Sequence, residues 1–130
     1  MNKSYAHDEI ESLIKKFRNR TLPKLDWTHE AHLIVGIWHC WHFDEKEALN
    51  LVRNHICEYN VSVGTENTDT GGYHESITVF WLWTARSFLK LKYYETVAEA
   101  CNDFINSEFS KKDFPLKYYL LHLFSIIYIK

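Results

Sequence analysis

A chain of 130 residues that is 46% hydrophobic has the size of one domain with one core, able to bury about two-thirds of its unfolded surface. Its 15 Lys and Arg stand against 17 Asp and Glu, so it lacks the basic stripe that phosphate neutralisation requires, and nucleic acid is not expected as a partner. Only four Gly and two Pro interrupt it and apolar residues recur at three and four, which predicts an all-α fold: a single-domain bundle of about five to six helices around a central buried one.

The opening segment, MNKSYAHDEI, has neither the apolar stretch nor the small-residue cleavage site of a secretory leader, and the chain is expected in the cytoplasm. Helix one is predicted from about Tyr5 to Arg20, with Ile10, Leu13, Ile14 and Phe17 facing inward, and TLPKLD ends it at Pro23. Helix two starts at Asp26 or Thr28, either of which can cap, and runs to about His42. At about 100° per residue its Leu33, Ile34, Val35, Ile37, Trp38, Cys40, Trp41 and Phe43 cover nearly every direction, which makes it the buried helix. Asp44, with Glu47 three positions on, opens helix three, which runs to about Tyr59.

Residues 60 to 72, NVSVGTENTDTGG, have no period and carry turn chemistry. A loop of that length in a small domain points to a lid or binding loop, with a mobile surface connector as the alternative. Helix four follows from about Tyr73 to Lys92, helix five from about Thr96 to Ser107, and helix six from about Leu116 onward. The terminal run YYLLHLFSIIYI is interrupted by His122 and falls short of the roughly 20 residues of a membrane span, so it reads as a buried helix and no membrane partner is expected. Cys40, Cys57 and Cys101 form no C-x-x-C pair and read as reduced core cysteines.

The chemistry concentrates in DWTHEAHLIVGIWHCWHF, which holds His29, His32, His39 and His42. His29 and His32 are three apart, so on a helix their rings can converge on one point. A metal site needs a third donor from another element. TGGYHESIT places His74 in the first turn of helix four, on a stripe with Ile77, Thr78, Trp81, Ala85 and Phe88 that lies within about 60° of it and faces the core. Two helix starts meeting there would form a three-histidine cup open toward the loop, with coordination positions left for water or substrate. Imidazole donors suit a divalent transition metal, zinc first, with iron, nickel or copper equally compatible in kind. Glu75 lies about 100° around from His74 and is a candidate ligand, ligand partner or base.

His39 continues the face of His32 but lies about 10 Å further along the helix, and with His42, His55 and His122 it reads as a hydrogen-bonded core or boundary residue. His7 reads as exposed. THEAH is not the H-E-x-x-H zinc helix, since Leu33 stands where the second ligand would be. No G-x-S-x-G elbow, P-loop or dinucleotide fingerprint occurs.

WTHEAHL and NTDTGGYHESIT together resemble the paired hallmarks of a family of short bacterial proteins: aromatic-Thr-His-x-x-His-Leu, then some forty residues later Gly-Tyr-His-Glu-Thr/Ser-Ile-Thr. The resemblance covers roughly residues 20 to 90 and implies His29, His32, Asn67, Thr70, Tyr73, His74 and Glu75 as motif positions; it brings no reaction with it. A looser, architectural likeness is to helical bundles of the DinB type, which gather three histidines from two helices around one metal, although the i, i+4 spacing of those bundles is missing.

The expected function is a small metal-dependent enzyme, most simply a hydrolase whose ion activates water on a small-molecule substrate. Glu75 first and Glu66 second would move the proton, and Asn67, Thr70 and Tyr73 would orient the substrate. An iron-dependent oxidation at the same histidines, and a metal-independent module binding a small ligand or a protein, are the alternatives. The aromatic content of 16% suits a core or a flat-walled pocket, and equally a face between two copies in a homodimer.

Overall fold

The helices follow the apolar period of the sequence. In the computed structural model, which describes residues 3–68 and 71–118, α1 spans His7–Arg18, α2 His29–His42, α3 Glu45–Ser62, α4 Glu75–Leu89 and α5 Val97–Ile105. Short 3-10 turns occupy Lys24–Asp26 and Glu108–Ser110, and residues 114–118 are again helical. No strand occurs among the described residues, so the fold is all-α. None of the helices there is long and apolar enough to cross a membrane.

Three starts are fixed by side-chain caps. Thr28 Oγ1 accepts the Ala31 N–H at 3.1 Å, Asp44 Oδ1 accepts that of Glu47 at 2.8 Å, and Thr96 Oγ1 accepts that of Glu99 at 3.2 Å. Each satisfies an amide that the helix leaves unpaired, worth about 1 kcal/mol.

α2 is the axle of the bundle. It packs against α4, α5, α3 and α1, and every residue from Leu33 to His39 is buried. Around it gather Ile10, Ile14 and Phe17 from α1, Val52 and Tyr59 from α3, Leu82, Ala85 and Phe88 from α4, and Val97, Cys101 and Phe104 from α5. Burying each large side chain contributes about 1.5–3 kcal/mol, and that sum holds α2 in the centre.

Some boundaries differ from the sequence expectation. α1 is shorter, since Asn19 and a left-handed Arg20 (φ 64°) already turn the chain. α3 runs three residues past Tyr59, because the buried Asn60 and Tyr59 are both held from outside the helix: Asn60 by Asn67, and the Tyr59 hydroxyl by the Leu22 carbonyl at 2.9 Å. α4 begins at Glu75 and ends at Leu89, inside the expected Tyr73–Lys92 span. The last helix begins at 114; the rest of that expected element, His122 included, lies outside the described residues.

Candidate functional site

The first turn of α2 carries His29 and His32. His32 Nδ1 lies 2.7 Å from the Thr28 carbonyl oxygen, so that nitrogen carries the hydrogen and donates, and Nε2 keeps its lone pair. His29 is arranged the other way round. Its Nε2 donates to the Ser110 carbonyl at 2.6 Å, across 81 residues of sequence, and leaves Nδ1 open. Trp27 stacks on His32 at a ring separation of 3.7 Å, and Trp81 meets His29 edge-on at 5.4 Å.

Both rings line a cavity of about 340 Å³ between α2, α3 and α4. Its other walls are mainly apolar, including Val52 and Ile56 from α3 and Ile77, Trp81 and Leu82 from α4; Thr78 and Lys112 add polar groups. His32 is exposed at the rim, yet the protein around it strips enough hydration to lower its pKa, and the charges of His29 and Lys112 act in the same direction. The Thr28 bond opposes that shift in part. At neutral pH the ring is an uncharged acceptor, fit to serve as a base or a metal ligand.

The loop that leads into α4 is built on Asn67. Its Oδ1 accepts from Asn60 Nδ2 at 2.9 Å and from the Tyr73 backbone N–H at 3.2 Å, while its Nδ2 donates to the Cys57 carbonyl at 3.1 Å. Gly72 stands at φ 77°, and a Cβ there would come within 2.3 Å of the Glu66 carbonyl oxygen, so the turn admits only glycine. Asn67 is thus fully engaged in shaping the loop. Glu66 is exposed, and Thr70 lies outside the described residues.

His74 follows this turn as the cap residue of α4, with extended backbone (φ −123°, ψ 110°), and its side chain is exposed. The expected inward stripe therefore starts later. Ile77 is itself 51% exposed, and α4 reaches the core through Leu82, Ala85 and Phe88. Two local forces set this placement: the Gly72 turn holds Tyr73 outside the helix, and Glu75 is drawn to α3 by Arg53.

That last contact is a two-pronged ion pair, Arg53 Nε to Glu75 Oε1 at 2.9 Å and Nη2 to Oε2 at 2.5 Å. The Tyr73 hydroxyl also donates to Oε1, at 2.6 Å. These bonds, Arg53 first, take the Glu75 pKa down to about 2, while burial and the adjoining carboxylate push Tyr73 up to about 12. A carboxylate so stabilised is a weak base for as long as the pair is made.

The structure brings His29 and His32 to one cavity, while His74, exposed at the start of α4, is not among the residues that line it. Among the described residues no three His, Cys, Asp or Glu side chains stand together as a metal site. Sequence reasoning missed Lys112, which lines the cavity, and the Ser110 carbonyl, which accepts from His29; both come from the segment after α5 and have no spacing relation to α2. His39 and His55, expected as hydrogen-bonded core or boundary residues, each make one such bond, His39 to the Val35 carbonyl and His55 with Arg18. Among the described residues, the fully buried His39 has no partner at Nε2, and His55, whose ring lies 6.4 Å away, has none at its buried Nδ1. No protein-family model matches the chain, and neither does any curated protein or any solved structure.

Proposed function

We propose that the cavity behind the first turn of α2 binds a small molecule, with His32 as the group that orients it or exchanges a proton with it. One observation carries this reading: His32 and His29 line a mainly apolar cavity of about 340 Å³, and each keeps one ring nitrogen free of hydrogen bonds among the described residues. Apolar walls with a few convergent polar groups are the general form of small-ligand sites. Fragment binding read from the imidazole nitrogen NMR signals tests it. Fragments that shift the His32 signal in the wild type should lose affinity at least tenfold in Trp81→Ala and His32→Phe; fragments that bind both variants unchanged overturn it.

A second reading keeps the metal. His32 bonded through Nδ1 to a backbone carbonyl is the arrangement by which proteins present Nε2 to an ion. His74, exposed at the start of α4, is the sequence-expected third donor. On this reading the chain is a metal-dependent hydrolase: zinc, or iron, nickel or copper, held by His29, His32 and His74. His29 would bind through Nδ1, and Glu75 would have to leave Arg53 to act as base. Metal analysis of untagged protein separates the two. Near-stoichiometric metal lost in each of His29→Ala, His32→Ala and His74→Ala supports the hydrolase, and a folded, metal-free wild type that still binds fragments supports the binding protein.

A further inference from the structure

A second cavity, of about 350 Å³, lies between α3 and α4 and shares only Leu82 with the histidine-lined one. Its walls are Leu49, Val79, Phe80 and Trp83, closed by Tyr118 from the helical segment at 114–118. Glu45, Ser76 and Arg86 supply its polar edge.

Arg86 is the anomaly. The other three arginines all have acceptors: Arg18 donates to His55, Arg20 to Glu58 and Arg53 to Glu75. Arg86 makes no hydrogen bond or ion pair among the described residues, and its Nη2 is enclosed by protein without a partner. A guanidinium stays charged at any physiological pH and presents a planar fork of donors. Leaving it half-buried and unpaired is costly unless a counter-ion arrives. Glu45 borders the same cavity without pairing to it.

We propose that this cavity binds a small monocarboxylate with a hydrocarbon body, the carboxylate paired to Arg86 and the body held against Leu49, Phe80 and Trp83. The charged guanidinium of Arg86 on the cavity edge attracts a carboxylate and offers it charge-assisted donors. The aromatic walls favour an apolar body. Glu45 on the rim repels a second negative charge, which favours a carboxylate over a phosphate.

Octanoate is the probe, titrated calorimetrically into the whole chain beside octanol and octyl phosphate. The expected result is saturable octanoate binding, at least tenfold weaker binding of octanol, and weaker binding of octyl phosphate than of octanoate. Arg86→Gln should weaken octanoate at least tenfold and leave octanol unchanged, and Glu45→Gln should strengthen octanoate severalfold. Trp83, 44% exposed, should report occupancy as a fluorescence change that disappears in Trp83→Phe. The proposal is overturned if the wild type does not bind octanoate, if octanol or octyl phosphate binds as well, or if a folded Arg86→Gln keeps full affinity. Should Arg86→Gln not fold, unchanged octanoate affinity in Glu45→Gln together with an unchanged fluorescence response in Trp83→Phe overturns it equally.

Discussion

His32 and His39 stand on one helix and make the same local bond. Each donates Nδ1–H to the carbonyl four residues back, at 2.7 Å in both cases. Each therefore holds the same tautomer, with the lone pair on Nε2. What lies beyond that lone pair differs. For His32 it is a cavity rim; for His39, fully buried, it is enclosed protein with no partner among the described residues. The helix sets the chemistry of the ring, and packing against the other helices decides whether a ligand can reach it.

The His55 ring beside His39 sharpens the point. Its Nε2 accepts from Arg18 Nε at 3.2 Å, so its buried Nδ1 carries hydrogen. The two unpartnered atoms of the interior pair are an acceptor and a donor, matched in kind. Aromatic rings pack against both, Phe17 on His55 and Phe43 on His39.

Truncating the two α2 histidines should separate them most. His39→Ala removes a fully buried ring and should cost about 2–4 kcal/mol by urea denaturation, within the range of large-to-small core changes. His32→Ala, at an exposed position, should cost less than about 1 kcal/mol. His39→Leu, which fills the space without a polar atom, should recover most of the loss. Equal costs for the two alanine variants would erase the distinction between a structural and an accessible histidine.

Acid should act on the same pair next. Burial lowers the pKa of His39 to about 4 and also lowers that of His55. A histidine whose folded pKa lies below its unfolded value of about 6.5 binds its proton more readily in the unfolded chain, so stability is constant above pH 6.5 and falls as pH drops from there toward 4. His39 alone contributes a loss of up to about 3 kcal/mol over that window. Denaturation midpoints between pH 7.5 and 5, before the carboxylates titrate, should decline in the wild type and flatten in His39→Leu. An equally steep decline in that variant would assign the acid limb to other groups.

Much of the fold was legible in the sequence because it rests on local signals. The inner stripe of Ile10, Ile14 and Phe17, the caps at Thr28, Asp44 and Thr96, and the all-round burial of α2 are read from spacing within a few residues. The approach of His29 and His32 to one cavity is legible for the same reason. The position of His74 was not, since it depends on the positive φ of Gly72 and on an ion pair between residues 22 apart. The Ser110 carbonyl that claims one nitrogen of His29 and the unpartnered state of Arg86 are likewise products of packing, which no period encodes.

Gly72→Ala tests whether the accessible side of the comparison depends on that loop. Its Cβ would collide with the Glu66 carbonyl in a left-handed backbone, so a loss of about 1–2 kcal/mol is expected. The His32 signal in the NMR spectrum should move while that of His39 stays. Movement of both would mean that the loop and the core are one cooperative unit.

The smallest expected effect concerns Glu75. Its pair with Arg53 is two-pronged but solvent-exposed, with half of the carboxylate side chain open to water, and exposed pairs contribute little to stability. Glu75→Gln should therefore barely change the denaturation midpoint at low salt, and the residual difference should vanish as ionic strength rises. The consequence for function is sharper than the energy. If the pair only tethers the start of α4, fragment binding at His32 survives Glu75→Gln intact and Arg53→Met has the same null effect. If Glu75 is the base of a metal-dependent reaction, Glu75→Gln keeps the metal and loses turnover, while Arg53→Met, which frees the carboxylate and lets its pKa rise from about 2, speeds turnover instead. Opposite signs for those two substitutions are an outcome that a tether cannot produce.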